Sequence, residues 1–274
     1  MTARDIETGT NDLLANVDGG VATLTLNRPQ ARNAMSAEMV GGLAAKLAQF
    51  EQDPKVKCIV LTGAGKGFCA GGDVKGMAAG GSAGSDVTLD EVIHRQRVHQ
   101  RATAGKLFKM PKPTIAALPG AAAGAGFSLA LACDLRIMTT DAFLTTAFAR
   151  VGFSGDYGGT YFLTQLLGPA KARELYYLSE RLSAEQCLSM GLTNWVVEPD
   201  ELMNKTNGIA RQLAAGPTAA YRYMKENINR ALVSGVGECM DIEATHHIHC
   251  GFTEDHKEAA QAFVEKREPV FKGK

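Results

Sequence analysis

The chain is short of most features that would place a protein quickly. It has no net charge, because 29 lysines and arginines offset 29 aspartates and glutamates. That balance argues against the broad basic face of a nucleic-acid binder and the polybasic run of a membrane-surface anchor. No apolar run reaches the length needed to span a bilayer. Residues 1–20 carry acidic side chains and no apolar core, unlike a signal or transit peptide, so a cytoplasmic location is expected. The six cysteines, at 58, 69, 133, 187, 239 and 250, never fall in Cys-x-x-Cys spacing. Free buried thiols in a reducing compartment fit that scatter better than a disulfide framework.

What is present is an alternation of periods. Val21–Leu26 alternates apolar residues with threonine, as a half-buried strand does. Cys58–Thr62, Thr114–Leu118, Leu135–Thr139 and Trp195–Val197 are further strand candidates. Helical patterns over Ala37–Phe50, Phe127–Ala132, Gly159–Leu167, Ala170–Ser179 and Ala184–Met190 separate them, which argues for an α/β class. After Asp200 no strand candidate remains. Helices over Glu201–Ala215, Pro217–Val233 and Val236 to about Lys266 are broken at Gly216, Gly235 and Gly251. These shifts divide the chain into a core of residues 1–200 and a helical region of residues 201–274. The Gly-, Ala- and Ser-rich stretch Lys75–Asp86 reads either as a lid over a pocket or as a tolerated surface insertion.

Two small-residue turns carry the chemistry. One is Gly67-Phe68-Cys69-Ala70-Gly71-Gly72-Asp73, after the strand at Cys58. The other runs from Pro119 to Gly126, after the strand at Thr114. Two such turns can aim one backbone N–H each at a single oxygen, the arrangement of an oxyanion hole. Gly63-Ala64-Gly65-Lys66-Gly67 and Gly124-Ala125-Gly126 superficially suggest dinucleotide turns. Neither has the full spacing or an acid about twenty residues on, and Lys66 lacks the following Ser or Thr of a phosphate loop. His246, His247, His249, Cys250 and His256 offer metal-ligand side chains in the helical tail, far from both turns. A helix or subunit contact is the better reading, and no metal is expected.

The paired turns resemble the crotonase (enoyl-CoA hydratase/isomerase) superfamily, whose reactions pass through a thioester enolate. The resemblance spans about residues 20 to 272. It includes the opening loop Leu26–Ser36, Gly158-Gly159-Thr160 with Leu163 and Leu167-Gly168, Leu182–Gln186 with Gly191-Leu192, and Ala262–Arg267. It implies a spiral of ββα turns with a C-terminal helical trimerisation region, and a homotrimer or a hexamer formed as a dimer of trimers. Coenzyme A is then no resident cofactor but part of the thioester substrate. By resemblance, the Ala70 and Ala125 amides form the oxyanion hole. Residues Ala70, Gly71, Gly72, Asp73 and Val74 line the pantetheine and adenine path, with Arg28, Ala31 and Arg32 near the nucleotide phosphates. Phe263 and Lys266 match the residues that reach a neighbouring subunit's coenzyme A.

The departures from the family pattern are chemical. The two glutamates with which family hydratases add water fall at Ser128 and Phe148 here, and neither can act as a carboxylate base. Asp156 stands where some isomerases and aromatic-CoA dehalogenases of the family carry a working aspartate, although such a residue beside a helix start is often an N-cap. Its acidity is expected to be weakened by apolar surroundings from Phe153 and Phe162. Arg150, Tyr157 and Tyr161 are nearby polar candidates. The resemblance thus implies enoyl-CoA double-bond isomerisation with Asp156 as proton shuttle. Hydration, C–C or thioester hydrolysis, and a non-catalytic CoA-ester binding protein are the alternatives. Cys69 lies in the active-site turn and fits space filling better than nucleophilic attack.

Overall fold

In the computed structural model, residues 4–73 and 87–274 are described; Val74 and the Lys75–Asp86 stretch lie outside that range. The strands are β1 (Arg4–Ile6), β2 (Leu13–Asp18), β3 (Val21–Leu26), β4 (Cys58–Gly63), β5 (Gly67–Cys69), β6 (Thr114–Leu118), β7 (Ala121–Ala123), β8 (Leu135–Thr139), β9 (Phe143–Thr145), β10 (Leu182–Ser183) and β11 (Trp195–Val197). The helices are α1 (Ala37–Gln52), α2 (Leu89–Ala102), α3 (Ala104–Lys109), α4 (Ala125–Ala132), α5 (Gly159–Leu178), α6 (Ala184–Ser189), α7 (Leu202–Ala214), α8 (Thr218–Ala231), α9 (Val236–Gly251) and α10 (Glu254–Glu265).

The longer strands, with three-residue β1 and β11 at the edges, build one sheet in the order β1-β2-β3-β4-β6-β8-β11, parallel from β3 onward. The short strands build a second sheet in the order β10-β9-β7-β5. Each turn of the chain therefore feeds one long and one short strand, β4 then β5, β6 then β7, β8 then β9. This is the expected spiral of ββα turns.

Side-chain alternation explains why the large sheet is covered on both faces. Ile59, Leu61, Ala116, Leu118 and Met138 point into the main core with Phe68 and Phe127. Their neighbours Cys58, Val60, Ile115, Ala117 and Ile137 point the other way, onto Leu202, Ala210 and Ala214 of α7. The first helix after Asp200 thus packs on the sheet itself. The next helix, α8, is tied on by Lys225, whose Nζ donates to the Leu107 and Lys112 carbonyls at 2.9 and 3.2 Å and to Asp134 at 2.9 Å.

α5 is longer than either helix expected there. Gly168 breaks its helical geometry at φ 75°, and Pro169 follows, yet the two halves join end to end. The turn after β5 meets the start of α4 at Gly126. A methyl group there would come within 2.6 Å of the Cys69 Cβ. Glycine in a helix ordinarily costs up to about 1 kcal/mol relative to alanine. Here the sign reverses: Gly126→Ala is expected to destabilise the protein by about 1–3 kcal/mol through overpacking. Urea denaturation measures it, and an alanine variant as stable as the parent would show that the turns do not interlock.

Candidate functional site

The opening loop is the clamp on the first turn. Asn33 is fully buried in left-handed backbone (φ 56°). Its Nδ2 donates to the carbonyls of Ala64 and Gly67 at 3.0 and 2.8 Å, and its Oδ1 accepts the Arg28 N–H at 2.9 Å. The Met35 N–H donates to the Gly71 carbonyl at 2.8 Å, aligning the loop beside Gly72 as a short parallel bridge. Asparagine tolerates that backbone and satisfies three buried groups at once. Nothing in the spacing singled it out.

Arg28 is committed locally. Its guanidinium donates to the Ala34 carbonyl at 2.7 Å and to Asp73 at 3.1 Å, with Asp12 at 3.5 Å. Asp73 is accordingly the partner of Arg28. Arg32, by contrast, is exposed, and Ala31 is half-buried beside it.

The two turns converge. A methyl group on Gly71 (φ 98°) would lie 2.9 Å from the Ala123 carbonyl oxygen and 3.4 Å from the Ala125 nitrogen. The Ala125 N–H, at the first turn of α4, has no hydrogen-bond partner among the described residues, and no side chain caps that helix. Its neighbour Gly124 is spent on the Thr145 carbonyl at 3.2 Å. On the other turn the expectation needs correcting. The Ala70 N–H already donates to the Arg32 carbonyl at 3.0 Å, so it is not open to a ligand. The Gly72 N–H, two residues on, has no partner among the described residues.

Asp156 does not cap α5, whose N-cap is Gly158 with no side-chain acceptor. Its Oδ1 is buried, with no hydrogen-bond partner among the described residues. Burial pushes its carboxyl up from 3.8 to about 6. The burial does not come from Phe153, which is 57% exposed. Instead, the charge of Asp156 is felt by Cys69, Tyr157 and Tyr176, which identifies its neighbours. Cys69 is driven to about 12, chiefly by burial, and stays a thiol.

The remaining walls are apolar or closed. Phe148 stacks on Tyr176 with ring centroids 5.8 Å apart, and burial together with the charge of Asp156 pushes the Tyr176 hydroxyl up. Ser128 is fully buried and donates to the Gly124 carbonyl at 3.3 Å. Phe263, 86% exposed, and Lys266 lie on or just beyond α10, and within one chain no hydrogen bond or ring contact among the described residues joins them to the turns. His246 pairs with Asn227 at 2.5 Å and stacks on Tyr223. Among the described residues no three His, Cys, Asp or Glu side chains gather as a metal site, and no helix is long and apolar enough to cross a membrane.

The described residues thus bring together two closely approaching turns, each with an amide that has no partner among them, and a desolvated carboxyl whose charge reaches Cys69 of the first turn. The family model for enoyl-CoA hydratase/isomerase matches residues 16–274, and the chain belongs to that family, within the crotonase superfamily. It is 38% identical over 262 residues to the 1,2-epoxyphenylacetyl-CoA isomerase of Escherichia coli strain K12, covering 96% of this chain and 98% of the relative. It is 32% identical over 259 residues to the short-chain-enoyl-CoA hydratase of Clostridium acetobutylicum, covering 94% and 96%. Among solved structures, an enoyl-CoA hydratase from Polaromonas sp. JS666 superposes with a TM-score of 0.88 at 32% identity, over 95% of this chain and 99% of that one.

The carboxyl generates a linkage prediction. The folded protein holds a proton on Asp156 that the unfolded chain releases between pH 3.8 and about 6. Across that window its contribution to stability falls as pH rises. Asp156→Asn removes the charge, so the variant should gain on the parent between about pH 4 and pH 7, by up to about 3 kcal/mol. Urea denaturation at the two pH values reads the difference, and a gap that does not change with pH refutes the desolvated carboxyl.

Proposed function

We propose that this acyl-CoA enzyme isomerises the double bond of an enoyl-CoA. The thioester oxygen takes hydrogen bonds from the Gly72 and Ala125 amides, with Gly72 replacing Ala70 as the first arm. The start of α4 adds its positive end. Negative charge developing on that oxygen as a proton leaves carbon is stabilised in place, an effect worth about a hundredfold or more per donor. Asp156 takes the α- or γ-proton on its open Oδ1 and returns it to the other carbon. One carboxyl suffices for that exchange, because the proton lost and the proton gained are the same.

The observation that carries this reading is a buried acid with no cation partner among the described residues. Asp156 is buried beside the turns with a pKa near 6, so it is ionised at neutral pH yet basic enough to accept a proton. Hydration needs a second group to position water. At the two corresponding places the chain has Ser128, turned onto its own helix, and Phe148, stacked on Tyr176. Hydration, hydrolysis and simple CoA-ester binding are the competing readings.

A panel of enoyl-CoA esters read by mass spectrometry separates them. Isomerisation leaves the mass unchanged, hydration adds a water, and hydrolysis releases free CoA. Asp156→Asn should keep ester affinity and lower turnover by about a hundredfold or more. Unchanged turnover on the best substrate would remove Asp156 from the mechanism.

For the coenzyme, exposed Arg32 is the cation of the opening loop open to the phosphates, while Arg28 acts through Asp73 to hold the loop. Phe263 and Lys266 serve a neighbouring subunit's nucleotide site in a trimer or a dimer of trimers. The exposed side chains Met224, Ile228, Met240, Phe252 and Phe263 on and around the C-terminal helices support that assembly. Light scattering at micromolar concentration should find a trimer or hexamer, and Phe263→Ala should weaken CoA-ester binding. A fully active monomer contradicts this arrangement.

A further inference from the structure

Two glutamines one helical turn apart on α2 both reach the Asp156 loop. Gln100 Oε1 accepts the Tyr157 N–H at 3.0 Å, and Gln96 Nε2 donates to Asp156 Oδ2 at 3.4 Å. Residues four apart share a helix face, so one face of α2 meets the backbone and the side chain of the same loop. α2 buries no side chain of its own, and a capping box of Thr88 and Glu91 secures its start. We propose that Gln96 is the positioning residue of the Asp156 carboxyl: it tethers Oδ2 and leaves Oδ1 as the oxygen that exchanges the proton. This inference rests on the reading of Asp156 as proton carrier.

The choice of an amide has a physical reason. A carboxylate on a short side chain turns about two bonds, and one donor on one oxygen removes most of that freedom. An arginine or lysine would orient it as well but would also pull its pKa back down. Among the described residues, the groups that face Asp156 are Cys69 from the turn after β5, Tyr157 from its own loop, Tyr176 from α5 and Gln96 from α2, and none of these carries a positive charge. Gln96 therefore fixes direction without quenching basicity. Its 3.4 Å contact is long, as hydrogen bonds at catalytic groups often are before substrate tightens them.

The test uses the full-length protein with 13C-labelled aspartate, titrated by infrared difference spectroscopy, with Asp156→Asn identifying the band. Gln96→Leu has similar volume and no donor. Its Asp156 midpoint should rise by about half to one pH unit, the loss of a modest hydrogen bond to the charged form. Turnover on 3-hexenoyl-CoA should fall about tenfold with KM within about twofold, since a misdirected base harms the transition state rather than binding. Gln96→Glu keeps the size and polarity but places a second carboxyl there, so its midpoint should rise further still. Arg97→Ala, on the exposed face of α2, should change neither quantity. If Asp156→Asn is inactive while both Gln96 variants keep the parent midpoint and turnover, the positioning role is overturned and Asp156 stands. If Asp156→Asn is fully active, the proton-carrier reading fails first.

Discussion

Everything in the site depends on how closely two turns approach each other. Gly126 lies against Cys69, and Gly71 lies against Ala125, so the ends of β5 and β7 press together with no side chain between them. Backbone amides can point at one atom only when their peptides stand this close. The second sheet explains how that closeness is held. β5, β7 and β9 are each three residues long, but they lie parallel and adjacent, and each follows a long strand buried on both faces. The large sheet supplies rigidity, and the small one sets the spacing of the turns. Asn33 then locks the outer turn by satisfying its carbonyls from the opening loop.

Asp156 occupies the opposite energetic regime. A buried carboxyl with no cation beside it is costly to ionise, and burial raises its pKa to about 6. A purely structural aspartate would relieve that cost by capping α5 or pairing with a basic group, and neither is found among the described residues. Strain of this kind is tolerated where the surrounding fold is stable and where the group must act on something else.

The long strands were legible because each is an apolar run bounded by turn residues, and all five expected strands are present within a residue of their expected ends. The short strands were not, because three residues between glycines and alanines carry no period. β2 escaped notice although Leu13, Ala15 and Val17 alternate inward, since its polar neighbours diluted the pattern. α2 is polar and buries nothing, so no apolar stripe announced it, yet it brings Gln96 to Asp156. The shift from Ala70 to Gly72 has a different origin. Residue types can say that a turn is small, but which amide is left open depends on where the carbonyl of Arg32 ends up. Likewise the pairing of Arg28 with Asp73 could not be read from residue types forty-five positions apart, and Phe153 read as an apolar wall until the loop turned it outward.

The C-terminal helices complete the argument by what they lack. α7 is amphipathic and buries Leu202, Ala210 and Ala214 on the sheet, whereas α8 and α9 bury no residue in a single chain. Isolated helices of that length are marginal in water without a packed face. Lys225 and the stacking of Tyr223 with His246 hold them to the core and to each other, but neither contact covers Met224, Ile228 or Met240. An apolar face of this extent calls for a partner surface. In the proposed trimer a second copy of the chain would supply one of matching character, and exposed Phe263 at the end of α10 would then lie at the rim of that contact.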